Sequence, residues 1–156
     1  MIEENEIKTI KKTIEEFFEK MTISVSNTDA EVYTNDESEA VKVNIILQEP
    51  QILIGQGGQT LFEMQRVLRM MLNKKLGKVF YLDLDINEYK SKKVEYLKNL
   101  AKDLADQVSL TKETKILFPM PSYERRILHK ELGLRTDITS ESQGEGLDRH
   151  IIIKPK

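Results

Sequence analysis

Ile54-Gly55-Gln56-Gly57-Gly58 runs directly into Leu61, Met64, Leu68 and Met71, apolar residues spaced by three and four. That pattern predicts a glycine turn opening an amphipathic helix over residues 60–73, with Gly77 as its terminator. Gly55, Gly57 and Gly58 let the main chain take positive φ and meet a ligand with no Cβ in the way. At the start of a helix, unpaired N–H groups and the positive end of the dipole suit a phosphate. On spacing alone, a tight turn explains the glycines equally well. Two nucleotide-binding patterns are excluded: Thr60 stands where G-x-G-x-x-G needs its third glycine, and no G-x-x-x-x-G-K-[ST] occurs.

Working outward, Ile7, Ile10, Ile14, Phe17, Phe18 and Met21 mark a helix over residues 3–20. Residues 22–26, continuing toward Tyr33, and residues 41–47 read as strands separated by the polar turn Asn35-Asp36-Glu37-Ser38-Glu39. Residues 50–54 form a short lead into the glycines. Residues 79–86 alternate Phe80, Leu82, Leu84 and Ile86 against Tyr81, Asp83 and Asp85, the pattern of a half-buried strand with its acids in solvent. The order is α-β-β-(short α)-turn-α-β, and the first domain is expected to end at residue 86.

Beyond it, Val94, Leu97, Ala101, Leu104 and Val108 predict a helix over residues 88–108. A strand at 115–118, a helix at 122–132 ended by Gly133, and strands at 136–141 and 150–154 follow, with residues 142–148 as a flexible loop. The fold class expected is α+β in two small domains, residues 1–86 and 87–156, each a small sheet backed by helices.

Composition narrows the function. A chain of 156 residues with 39% hydrophobic and 32% charged residues is globular in type, and its apolar runs fall far short of the roughly 20 residues that span a bilayer. No membrane insertion and a cytoplasmic location are expected, since the N-terminus is acidic where a secretory signal is basic. Zero cysteines and two separated histidines leave no disulfide, thiol chemistry or zinc cluster, so neither a metal nor another cofactor is expected. Net charge is −2, but its distribution is uneven. Residues 21–50 carry Asp29, Glu31, Asp36, Glu37, Glu39 and Glu49 against Lys42, whereas residues 51–80 carry Arg66, Arg69, Lys74, Lys75 and Lys78 against Glu63. The sign changes at the glycine turn, and local charge governs a binding groove more than the total does.

A second constellation lies in Tyr123-Glu124-Arg125-Arg126-Ile127-Leu128-His129. Arg125 and His129 are i and i+4, so both tips leave one helix face. Arg offers a fork for phosphate oxygens, and His donates to phosphate or stacks on a base. An isolated pair of this kind is more often a solvated helix surface.

In its α-β-β-α-turn-α-β setting, Ile54-Gly55-x-x-Gly58 resembles the type II KH domain, whose G-x-x-G loop clamps about four nucleotides. The string from Phe118 to His129, with Thr139-Ser140-Glu141-Ser142-Gln143-Gly144-Glu145 and Arg149-His150-Ile151-Ile152-Ile153, resembles the domain named for its Arg-x-x-x-His motif. Together they resemble the Jag family of bacterial RNA-binding proteins, also called SpoIIIJ-associated. The resemblance implies RNA-binding roles for Ile54, Gly55, Gln56, Gly57, Gly58, Arg66 and Arg69 in the first domain. In the second it makes Arg125 and His129 the motif pair and Arg126 and Arg149 flanking contacts. It implies a non-catalytic binder of single-stranded RNA or single-stranded DNA, acting as a post-transcriptional regulator or RNA chaperone and pairing with a small single-KH protein or with itself. Three departures stand out. Gln56-Gly57 lacks the basic residue usual in KH loops, so contact is expected to rest more on backbone amides and on Arg66 or Arg69; Met120-Pro121-Ser122-Tyr123 stands where the family tends to place Ser or Asn before Pro; and the N-terminal domain common in the family is not in this sequence. Little sequence preference is expected, because there is no Trp and most of the five Phe and five Tyr are expected in cores.

Two rivals belong to other classes. One is a protein-interaction adaptor in cell-envelope or growth regulation, favoured by the acidic segments at 29–39 and 141–148. The other is a nuclease using His129 as general base, for which Asp83 and Asp85 supply no third metal ligand at suitable spacing.

Overall fold

A computed structural model describes residues 2–35 and 38–156, so Asp36 and Glu37 of the expected turn lie outside the described residues. The chain divides into two compact units, Met1–Lys90 and Ser91–Lys156, each mixing helices with a small sheet.

The first unit opens with α1 (Glu4–Lys20), started by a reciprocal capping box between Glu3 and Glu6. Two strands, β1 (Val25–Asn35) and β2 (Ser38–Leu47), pair antiparallel, and β3 (Tyr81–Ile86) joins β2 in parallel, giving the order β1-β2-β3. Between β2 and β3 come α2 (Gln51–Ile54), a 3-10 turn (Gln56–Gly58) and α3 (Gln59–Leu76). Ile10, Ile14 and Phe18 of α1 meet Leu61, Leu68 and Leu72 of α3 over Val41, Val43, Ile45, Leu82 and Leu84 in one core. β1 starts three residues later than expected because Thr22, at φ 61°, and Ile23 still donate to the last carbonyls of α1. The stripe of α3 also turns: Leu72 is fully buried, whereas Met71 is 42% exposed.

Asp85 corrects the expected alternation of β3. It is buried, because α4 (Tyr89–Thr111) starts directly after the strand and its carboxylate accepts the N–H groups of Ile86 and Lys90. Residues 87–90 belong with the first unit by their contacts. Asn87 bonds to both main-chain groups of Leu47, and Tyr89 packs on the first core.

The second unit holds most of α4, β4 (Lys115–Ile116), α5 (Ser122–Leu132), β5 (Ile138–Gln143), a 3-10 turn (Gly146–Asp148) and β6 (His150–Pro155), with strand order β4-β6-β5 and both pairings antiparallel. Leu97, Ala101, Ala105 and Val108 of α4 and Leu128 and Leu132 of α5 pack on Ile138, Ile151 and Ile153. β4 is shorter than expected: Leu117 still donates to Ile151, but Pro119 has no N–H to continue the ladder. β5 starts at Ile138 because residues 134 and 135 are still turning off α5. There Arg135 forms a two-pronged pair with Asp137, at 2.9 and 2.7 Å, and reaches Asp106 of α4. Ser142 and Gln143, expected in the flexible loop, are strand residues, and residues 146–148 form a turn.

Candidate nucleic-acid interface

The glycine turn of the first unit has firm ends and an exposed tip. Gly55 sits at φ 72° and Gly58 at φ 80°. A Cβ at Gly55 would lie 2.1 Å from Thr60 Oγ1, and one at Gly58 would lie 2.9 Å from the Tyr89 ring. Both positions therefore require glycine on steric as well as conformational grounds. At the tip, Gln56 and Gly57 are exposed, and a Cβ on Gly57 would meet nothing within 4 Å. Ile54 is half-buried against the core, fixing the entry to the turn. On α3, Arg66 is exposed, 3.6 Å from Glu63, and Arg69 is half-buried. An exposed pair such as Arg66–Glu63 is held by less than about 1 kcal/mol, so it yields easily to a stronger anion.

Asp83 and Asp85 are both engaged. Lys90 Nζ lies 2.6 Å from Asp83 and 2.6 Å from Gln65 Oε1, and it stands over the Phe62 ring at 5.3 Å. Gln65 Oε1 also accepts the buried N–H of Leu84 at 3.0 Å. Burial pushes the Asp85 carboxyl above its usual value, against the pull of the N–H groups it accepts.

In the second unit, α5 presents its motif pair to β5. Arg125 NH1 donates to Ser142 Oγ at 2.8 Å, and its Nε donates to the Met120 carbonyl at 3.2 Å. Arg149 Nε donates to the same Ser142 Oγ at 3.2 Å. His129 Nδ1 lies 2.8 Å from Ser140 Oγ. Ser140 and Ser142 are two apart on β5, so both hydroxyls leave the sheet face that meets α5. Partial burial, reinforced by the Arg125 charge, holds the His129 imidazole below its usual pKa, so the ring is mostly neutral at neutral pH.

Arg125, His129 and Arg149 are thus brought together. Arg126 is exposed, and among the described residues no hydrogen bond or ion pair holds it. Among the same residues neither Arg125 nor Arg149 has a carboxylate partner, in contrast to Arg135. Two guanidinium groups sharing one neutral hydroxyl leave uncompensated positive charge that a phosphate group fits in size and geometry. Ser140 and Ser142 do not stand out in the sequence. Their i, i+2 spacing on the strand facing the Arg/His helix is the signal that identifies them.

The expectation for the aromatics is corrected. Of the ten, only Phe18 and Phe80 are fully in a core, whereas Phe118 is 90% exposed, Tyr96 58% and Tyr81 41%. Among the described residues no group of three His, Asp or Glu side chains could hold a metal ion, and no helix is long and apolar enough to cross a membrane.

Residues 95–155 match the domain family named for its Arg-x-x-x-His motif. The chain is 35% identical over 143 residues, 92% of its length, to the RNA-binding protein KhpB of Clostridium symbiosum. It is 36% identical over 129 residues, 81% of its length, to the RNA-binding protein KhpB of Bacillus subtilis strain 168. A third relative, the RNA-binding protein KhpB of Lactiplantibacillus plantarum, is 30% identical over 102 residues. The chain spans 63% and 62% of the lengths of the first two relatives, just under two thirds of each.

Proposed function

We propose that this chain is a non-catalytic binder of single-stranded RNA, built from a type II KH unit and an Arg-x-x-x-His unit, and that it regulates or remodels bacterial transcripts. The KH reading is supported by the element order of the first unit and by a glycine turn whose ends are sterically fixed and whose tip is exposed. The reading of the second unit is supported by the domain match and by the relatives' shared description as RNA-binding proteins. One observation carries the functional conclusion: Arg125 and Arg149 converge on Ser142 Oγ with no carboxylate, among the described residues, to neutralise them.

The mechanism follows from the side chains. A phosphate oxygen displaces or joins Ser142 as acceptor for the two forks, and His129 lies on the same face to donate a further hydrogen bond. In the first unit, a second stretch of backbone lies against the glycine tip, with Arg66 and Arg69 supplying diffuse charge. Phosphate contacts position a strand without reading it, so binding by these parts is largely indifferent to sequence. Fluorescence anisotropy with labelled single-stranded RNA across a salt series tests the reading. Binding whose affinity falls with salt, and which Arg125→Ala combined with Arg149→Ala weakens, is expected. Salt-independent binding, or none, overturns it.

A further inference from the structure

The sheet of the second unit is covered by helices on one side. Ile151 and Ile153 of β6 enter the core with α4 and α5, so His150, Ile152 and Lys154 alternate onto the opposite face. Register extends this to the neighbouring strands. Ile116 pairs with Ile152, Gln143 pairs with His150, and Leu117 N–H donates to the Ile151 carbonyl. Met120 N–H then donates to the Arg149 carbonyl, which keeps the chain alongside β6, and continuing the register of Ile116 with Ile152 by two residues carries Phe118 to the level of His150. Leu117 packs on the core, and Ile152 in the middle of the opposite face is 7% exposed between its neighbours, whereas Ile116 is 69% exposed and Phe118 is 90% exposed. The row Phe118, His150, Gln143 thus crosses the open face at the end of the sheet where Arg149 turns back toward Ser142.

We propose that this row is a second nucleic-acid site, a stacking platform for an unpaired base of the strand whose phosphates lie at Arg125 and Arg149. This rests on the RNA-binding reading above. An exposed phenyl ring and an imidazole at the same end of the sheet offer a base two flat surfaces, and the Gln143 amide offers a donor and an acceptor for its edge. His150 Nδ1 lies 2.8 Å from the Asp148 carbonyl, which fixes its ring. Strands stand roughly 5 Å apart, so the row is only two strand spacings wide. That is far too small for a stable protein interface, which buries about 1,200 Å² or more. The adjacent cluster of unneutralised arginine makes a polyanion the fitting occupant. Such a platform gives the second unit a contact with bases in addition to its contacts with phosphate.

The test uses the intact chain, single-stranded oligoadenylate and anisotropy. Phe118→Ala is expected to weaken binding about tenfold, within the range for losing one base–aromatic stack, and to leave the salt slope unchanged. His150→Ala is expected to weaken it further, and His150→Phe to restore it. The chain has no Trp, so Phe118→Trp creates a unique fluorophore, whose emission is expected to be quenched by oligoadenylate and not by polyphosphate at equal ionic strength. Wild-type affinity in Phe118→Ala, with weakened binding in Arg125→Ala, overturns the platform and leaves the RNA reading standing. Self-association abolished by Phe118→Ala, with RNA affinity untouched, assigns the face to protein contact and overturns it equally. Absence of binding by the wild-type chain overturns both.

Discussion

Asp85 accepts the main-chain N–H of Lys90 through both carboxylate oxygens, at 3.1 and 3.2 Å, so the end of β3 holds the first turn of α4. The same carboxylate accepts Ile86 N–H at 2.8 Å. Removing it leaves donors without a partner at a nearly closed site. Asp85→Ala is expected to cost about 1–3 kcal/mol of stability in urea unfolding. Asp85→Asn, which keeps one acceptor oxygen, is expected to cost less. Equal midpoints for the wild type and Asp85→Ala would show that α4 starts without this contact.

The glycine turn separates fixed ends from a variable tip. Gln56→Asp combined with Gly57→Asp sets two negative charges at the tip; position 57 has room for a side chain, but its φ of 61° strains any residue other than glycine, so Gln56→Asn combined with Gly57→Asn is the uncharged control. RNA affinity is expected to fall at least tenfold below that of the control, about 1.4 kcal/mol, with the two variants sharing one unfolding midpoint, lowered equally by the strain at position 57. Gly55→Ala is expected to do the reverse in kind, because its methyl group meets Thr60, and to lower the midpoint itself. Unchanged RNA affinity in a folded double variant removes the clamp from the mechanism.

Arg125→Ala is expected to weaken binding to all single-stranded sequences alike. It should also reduce the slope of log affinity against log salt by about 0.7, the value for one phosphate contact on a single strand. A salt series with two unrelated sequences measures both.

His129 adds a pH signature. Its folded-state pKa lies below the ordinary 6.5, so the free protein takes up this proton only in more acid solution. The unfolded chain protonates first, and stability is therefore expected to fall as pH drops through 6.5 toward the folded value. A bound phosphate reverses the local field and draws the proton onto the ring. RNA affinity is thus expected to rise over the same window, and His129→Ala to lose both effects. A pH-independent affinity difference between the wild type and the variant argues against a charged imidazole at the phosphate.

Asp137 predicts the acid behaviour of the second unit. Its hydrogen bonds to Arg135 and Ser109 hold its carboxyl well below the ordinary 3.8. The contribution is complete above that value and is lost as pH falls through the folded value. Asp137→Asn is expected to lower the melting temperature at neutral pH and to flatten the acid-side decline, as followed by circular dichroism.

What the sequence made legible was whatever depends on short-range periodicity. The stripes of α1 and α4, the glycine turn and α5 all follow from three-and-four spacing and local breakers. What it left obscure depends on partners distant in the chain. Met71 and Leu72 are both apolar, and only the packing of α3 against α1 and the sheet decides which is buried. Asp85 looks like a solvated strand residue until the helix after it needs an acceptor. Ser140 reads as an ordinary strand residue and Ser142 as a loop residue until α5 brings Arg125 and His129 over them. Phe118 looks like a core residue because aromatics usually are, but just beyond β4 it is 90% exposed.

The parallel pairing of β2 and β3 governs how the first unit is made. The hairpin of β1 and β2 joins near neighbours, whereas Ala40 pairs with Tyr81 across the whole glycine turn and α3. Contacts so far apart in sequence are slow to form. As the chain leaves the ribosome, the inner edge of β2 stays unpaired until β3 has emerged, with Val41, Val43 and Ile45 still lacking their final cover. The glycine turn must therefore reverse the chain before the sheet can close, and a defect there delays maturation as well as weakening the finished site.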